Sequence, residues 1–347
     1  MATLATSPTA SAPRLKPMQR YLLAMLAGAS LTFCALAAIL VLLKAYDALP
    51  PPQFSNSVCI DEKLHSMRTG IPADPNLLII GSSVAWRHFN SPAAIAAEPS
   101  LRPFNAGLCG AKMTQVRRVA TWLTTRLPTV RRVLLIASPL DFTDCTKSDP
   151  SQFDVLDADA YIFGKASPAR FYARYFDPVT LAQNAGMIRA ARSSMVAPDP
   201  LFQNSFGDAP NQPDRSRGLF YGAAKLDPTC FAALRQTARA LERKGVGFDV
   251  AITPLHPAWV SRFGGGAFAT EFPNNIRASL AGTGARYDAT RYQPDPGAFY
   301  DAIHIRWSAT AAYTRSLLVE AGPWAGPDTI VAARAMGLTG SAGPAAR

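Results

Sequence analysis

The sequence predicts an α/β fold: a three-layer domain with a mostly parallel sheet flanked by helices, preceded by one transmembrane helix. Three observations predict it. Short apolar runs at residues 77–80, 130–137 and 247–253 each end in turn-forming residues, as strands buried on both faces do. Segments with helical apolar periodicity lie between and after those runs, the alternation that builds parallel sheets. An uncharged apolar stretch precedes them all.

That stretch is Tyr21 to Leu43, which holds no charged residue, proline, Asn or Gln. As a helix it spans about 34 Å, enough for a hydrocarbon layer of roughly 30 Å. Arg14, Lys16 and Arg20 precede it and no acidic residue does, so the positive-inside rule predicts a cytoplasmic N-terminus and an extracytoplasmic bulk. The competing reading is a cleaved signal peptide, with Ala27-Gly28-Ala29 at the cleavage site. The apolar run continues well past that point, longer than a signal peptide needs, and the anchor is preferred. Residues 1–20 are then a cytoplasmic tail and 21–43 the membrane-embedded segment, in contact with lipid.

Residues 44–75 are Pro-rich and polar, with Pro50-Pro51-Pro52 in their midst, and read as a stalk. Leu77–Ile80 between Pro75 and Gly81 is the first strand. In Thr114–Leu127, Val116, Val119, Trp122, Leu123 and Leu127 recur at helical spacing, and Pro128 ends the helix. Val130–Ala137 is the second strand, stopped by Ser138-Pro139. Residues 146–226 mix Asp, Pro, Ser and aromatics and read as an insertion over the sheet edge or over a site, with a helix at Pro178–Ser193. Phe231, Leu234, Ala238 and Leu241 form the stripe of a helix over Pro228–Lys244, closed by Gly245. Gly247–Thr253 is the third strand, and a last helix runs from Ser308 to Glu320. The domain spans 76–320, and 321–347, rich in Ala, Gly and Pro, is a loose tail.

The net charge is +11 and 48% of residues are apolar. The basic residues after the anchor are scattered, without the dense basic run and interleaved aromatics of a nucleic-acid surface, so no nucleic acid is expected as partner. The chain holds four histidines and no CxxC, so no metal and no cofactor is expected.

Ligands of open parallel sheets sit beyond the carboxyl ends of strands. Gly81-Ser82-Ser83, Asn105–Gly110, Ser138–Asp141 and Asp301–His304 all fall at such places. A serine there needs a base within reach, the base needs an orienting carboxylate, and backbone N–H groups at a glycine can hold an oxyanion. Taken singly, Ser83 reads as a cap, His304 as structural, Gly107 and Gly110 as turn glycines and Asp301 as a turn residue. Their order and placement together carry the functional reading. His256, in Thr253-Pro254-Leu255-His256-Pro257, also lies beyond a strand end and could contact substrate or serve as base. His304 is preferred as base because Asp301 lies one turn away. His88 reads as a packing or surface residue.

This order of blocks resembles the SGNH (GDSL-like) hydrolase superfamily, in particular its membrane-anchored, extracytoplasmic branch associated with O-acylation of surface polymers. The resemblance covers roughly residues 76–320 and implies an SGNH-like fold. Gly81-Ser82-Ser83 matches the Gly-Asp-Ser block, with Ser83 in the nucleophile's place. Asn105–Gly110 matches the second block, with Gly110 as oxyanion glycine beside the Ser83 N–H. Asp301 and His304 match the Asp-x-x-His block. The family's third-block asparagine is missing: Ser138-Pro139-Leu140-Asp141 stands there. An ionised Asp141 would repel an oxyanion, so either the hole is built from the Ser83 and Gly110 backbone N–H groups, or Asp141 does something else, such as bind a sugar hydroxyl. The resemblance implies acyl transfer or acyl-ester hydrolysis on an envelope glycan or polysaccharide, beside a membrane acyl-donor protein, at a bacterial inner membrane with the main domain in the periplasm. The alternatives are a catalytically weak glycan-binding or assembly component, and a structural membrane protein without a site.

Cys34 lies in the apolar stretch, and Cys59, Cys109, Cys145 and Cys230 would face an oxidising compartment. In the proposed fold the loops carrying Cys109 and Cys145 leave neighbouring strands at one sheet edge, so a Cys109–Cys145 bridge is expected. Pairings with Cys59 or Cys230, and free thiols, stay open.

Overall fold

The computed structural model describes residues 16–149, 151–193, 201–210, 218–263, 270–288 and 292–320. The expected tail and the residues around Arg14 lie outside them. The chain divides into two compact units, with the boundary between Leu49 and Pro50.

The first unit is one helix, α1 (Pro17–Ala45), long and apolar enough to cross a membrane. Its Thr32 hydroxyl donates to Gly28 O at 2.9 Å, which satisfies a polar group that hydrocarbon could not. Such a helix supports a single-pass membrane protein.

In the second unit the chain runs through α2 (Val58–Thr69), β1 (Leu77–Gly81), α3 (Ser83–His88), α4 (Ser91–Ala97), β2 (Pro103–Asn105), α5 (Met113–Arg126) and β3 (Arg132–Ala137). It continues through α6 (Val155–Ile162), α7 (Pro168–Arg174), α8 (Pro178–Ser193), α9 (Pro228–Arg243) and β4 (Gly247–Ile252). It closes with α10 (Pro257–Phe263), α11 (Phe272–Leu280), β5 (Arg286–Asp288) and α12 (Trp307–Glu320). The five strands are all parallel, in the order β2-β1-β3-β4-β5.

The three layers follow from strand periodicity. Successive side chains point to opposite faces. Leu78, Ile80, Val133, Leu135 and Val250 join the core under α2, α5, α9 and α11. Leu77, Ile79, Leu134, Ile136 and Ala251 join the core under α3, α10 and α12. β1, β3 and β4 are buried on both sides, which is why these runs are largely apolar. The chain leaves β1 for β2 on one side and returns to β3 on the other. That reversal places the topological switch at the carboxyl ends of β1 and β3.

Two short strands, β2 and β5, were not expected; at three residues each they carry no readable period. The expected stalk over 44–75 needs correction. Its second half forms α2, whose Ile60, Leu64 and Met67 are buried in the core with Phe54. The helical stripe is there, but the buried charges Asp61 and Lys63 interrupt it.

The insertion is built into the domain. Phe153, Tyr161 and Phe171 join the α2 and α5 core, and Phe206 O accepts from Asn105 N–H at 2.8 Å, covering the edge of β2. Behind this contact lies a buried polar cluster. Asp208 accepts from Ser91 N–H and hydroxyl, from Asn105 Nδ2 and from Asn204 Nδ2. Lys63 Nζ donates to Asn105 O at 2.5 Å and Gly207 O at 2.7 Å. Burial pushes the Lys63 amine down to about 7 against the pull of Asp208. Its neutral form still has two N–H groups for those two carbonyls.

Candidate active site

Ser83 opens α3 directly after β1. The turn between them needs a glycine: Gly81 has φ +138°, and a Cβ there would meet Ile136 O at 2.5 Å. The 105–110 loop folds against the same turn. Ala106 N–H donates to Ile79 O and Leu108 N–H to Gly81 O. A Cβ on Gly107 would strike the Trp86 backbone nitrogen at 2.6 Å, so only glycine lets this loop reach α3.

His304 and Asp301 come from the turn before α12. That turn is closed by Tyr300 N–H donating to His304 O at 2.7 Å and by an antiparallel bridge between Phe299 and Ile305. Asp301 accepts from the N–H groups of Ile303 and His304 and lies 2.9 Å from His304 Nδ1 through Oδ2. His304 Nε2 lies 2.8 Å from Ser83 Oγ. Asp301 and His304 are buried, and Ser83 is partly exposed. Burial pushes the Asp301 carboxyl up, but the imidazole and the two N–H groups outweigh it and hold the carboxyl below its ordinary value. An ionised Asp301 accepts a hydrogen bond from His304 Nδ1–H and so fixes the proton on Nδ1, which leaves the Nε2 lone pair facing the Ser83 hydroxyl. Three residues from two sequence-distant blocks thus form one hydrogen-bonded chain, able to deprotonate a serine.

His88 holds this arrangement from below. Ile305 N–H donates to His88 Nε2 at 3.0 Å, so the proton sits on Nδ1, 2.6 Å from Thr253 Oγ1. Burial, then His304 and Arg87, push its pKa far below the ordinary value; the ring is neutral. His88 therefore ties α3, the end of β4 and the His304 turn together. A sequence read residue by residue shows only a helical histidine there.

The other expected residues fall as follows. Asp141 is buried and accepts from Ser138 N–H at 2.8 Å and from the Ser82 hydroxyl. Burial pushes it up to about 6 against these bonds and Lys112. These bonds tie Asp141 to the Ser82 turn and to the start of the segment after β3. Gly110 lies exposed in the turn before α5, with φ +65°. His256 borders the site without entering the chain: its N–H donates to Ala302 O at 2.9 Å, and its Nδ1 accepts from Ala258 N–H.

The expected Cys109–Cys145 bridge is wrong. Cys59 pairs with Cys109 across a Cα separation of 6.2 Å, and Cys145 pairs with Cys230 at 5.4 Å. Helix α2 brings Cys59 to the 105–110 loop, and the start of α9 brings Cys230 to the segment after β3. The two loops are neighbours nonetheless. Lys112 Nζ reaches from one to the other, donating to Leu140 O and Thr143 Oγ1 at 2.8 Å each. Among the described residues no group of His, Cys, Asp and Glu is arranged to hold a metal ion.

No protein-family profile matches this chain, and no curated protein matches it in sequence.

Proposed function

We propose that the chain is a serine-dependent acyl-ester enzyme of the SGNH type, working on an envelope glycan or polysaccharide outside the cytoplasm. The observation that carries this reading is the hydrogen-bonded order Ser83–His304–Asp301 at the switch point of a parallel sheet. Ser83 Oγ attacks the acyl carbonyl while His304 Nε2 takes its proton, and Asp301 stabilises the resulting imidazolium. The backbone N–H groups of Ser83 and Gly110 take up the oxyanion. His304 then protonates the leaving alkoxide, and an acyl-Ser83 ester remains. Water or a sugar hydroxyl, deprotonated by His304, releases the acyl group. The donor is a membrane acyl-donor protein when transfer, rather than hydrolysis, is the outcome.

The absent third-block asparagine is met in a particular way. Asp141 is engaged by Ser138 and Ser82, so its charge is directed to the Ser82 turn and not to the oxyanion. The same absence favours the second reading, a glycan-binding component without turnover. Release of p-nitrophenol from p-nitrophenyl acetate by the detergent-solubilised chain separates them. The enzyme reading expects turnover that Ser83→Ala abolishes; the same rate in Ser83→Ala contradicts it.

The orientation proposed is N-terminus in the cytoplasm and main domain in the periplasm of a bacterial inner membrane. The basic residues before α1 and the two disulfides support it. A phosphatase reporter after Arg347 is then active only if exported, and a cytoplasmic C-terminus contradicts it.

A further inference from the structure

A short aromatic segment lies against Asp301 and His304 without taking part in their chemistry. Gly218 forms a parallel bridge with Asp301. Three residues on, Trp259 Nε1–H donates to Tyr221 O at 2.8 Å. Leu219 and Tyr221 pack on the apolar cluster that contains Phe299, Ile303 and Trp259. The backbone of 218–221 is thus held at both ends. The Tyr221 ring stands 6.3 Å from the His304 ring, centre to centre. Phe220 stacks on Tyr221 at 4.2 Å with 33° between the planes, and is 54% exposed.

Phe220 and Tyr221 together present aromatic surface beside the His304 turn, with Phe220 half in water. The form of the surface narrows what it receives. An acyl chain, apolar all round, is stabilised by an enclosed groove. A pyranose ring has one face of C–H groups and a rim of hydroxyls, and is best served by a flat aromatic shelf that leaves the rim in water. The C–H face meets the negative face of the aromatic ring.

We propose that Phe220 and Tyr221 form a stacking subsite for one pyranose ring of the glycan that presents its hydroxyl or ester to Ser83. The proposal rests on the acyl-ester reading for its role, and on the aromatic shelf for its existence. The shelf sets which sugar hydroxyl is offered to Ser83, because a sugar ring on Phe220 extends a stack whose inner member, Tyr221, stands beside His304.

The test uses cellotetraose and maltotetraose as probes of two linkage geometries, with the full chain in detergent. Binding is measured by calorimetry, and protection of Ser83 by the rate of its labelling with a fluorophosphonate. At least one tetraose is expected to bind and to slow labelling. Phe220→Ala should weaken that binding about tenfold and remove the protection, and Phe220→Trp should restore both. Binding of neither tetraose, binding indifferent to Phe220→Ala, or binding that leaves labelling unchanged overturns the proposal. Protection by octanoate with the same Phe220 dependence, and none by either tetraose, assigns the shelf to an acyl chain and also overturns it. A chain that binds tetraose through Phe220 while the fluorophosphonate labels nothing keeps the subsite and refutes the acyl-ester reading.

Discussion

His304 Nε2 lies 2.8 Å from Ser83 Oγ, although 221 residues separate the two in sequence. The distance sets unequal expectations for three substitutions. His304→Ala removes the base and should lower kcat for an acyl ester by several orders of magnitude, as loss of Ser83 does. Asp301→Asn keeps the size but loses the charge that fixes the Nδ1 proton; a loss of roughly 10²- to 10⁴-fold in kcat is expected. His256→Ala should change kcat far less, because its Nδ1 is already occupied by Ala258 N–H. Steady-state kinetics on the three variants checks the order, and a larger effect at His256 than at His304 reassigns the base.

His88 acts through the His304 turn and should behave as a positioning residue. His88→Leu leaves the Ile305 N–H buried without its acceptor, at a cost of about 1–3 kcal/mol. A displacement of about 1 Å at His304 is enough for a loss of around 10²-fold in rate. We expect kcat to fall with little change in KM, and His88→Gln, which can offer an amide oxygen to Ile305, to recover part of it. Equal kinetics for His88→Leu and wild type would remove His88 from the site.

The Cys59–Cys109 bridge fastens α2 to the loop that carries Gly110. The double variant Cys59→Ser, Cys109→Ser should be less stable by about 2–4 kcal/mol on chain-entropy grounds. It should also lose rate, because the loop then keeps the Lys63 bond to Asn105 O, but no covalent tie, to α2. Denaturant melts and ester kinetics on the same preparation test both. Unchanged kcat would mean that the loop is set by Gly107 and β1 without help from α2.

Most of the fold was legible because burial wrote it plainly. The apolar runs of β1, β3 and β4 end in Gly or Pro, and the stripes of α5 and α9 are uninterrupted. Helix α2 was not legible: Asp61 and Lys63 look like surface charges, and the prolines before them look like a linker. Cys59 lies on that helix, so its pairing with Cys109 was hidden along with it. At the site, Ser83, Asp301 and His304 were legible from motif spacing. His88, Lys63 and Lys112 were not, since a polar residue whose partners are backbone atoms far away in sequence leaves no local pattern.

Asp61 gives a pH dependence of known sign. Burial pushes its carboxyl up to about 8, despite bonds from the Ser55 hydroxyl and N–H. Between about pH 4 and 8 the folded chain therefore keeps a proton that the unfolded chain has released. Stability falls as pH rises across that window. Asp61→Asn keeps an oxygen for Ser55 and has no proton to lose, so its Tm should fall less than that of wild type between pH 5 and 8. Thermal melts at both pH values decide it, and parallel slopes would show Asp61 ionised in the folded chain.

The central claim is that Ser83 is a nucleophile activated by His304. The most direct measurement is peptide mapping of the detergent-solubilised chain after treatment with a fluorophosphonate at neutral pH. One adduct is expected, on the peptide that carries Ser83, absent from Ser83→Ala and formed far more slowly in His304→Ala. An adduct on another residue, or labelling of Ser83 that is as fast without His304 as with it, would contradict the account.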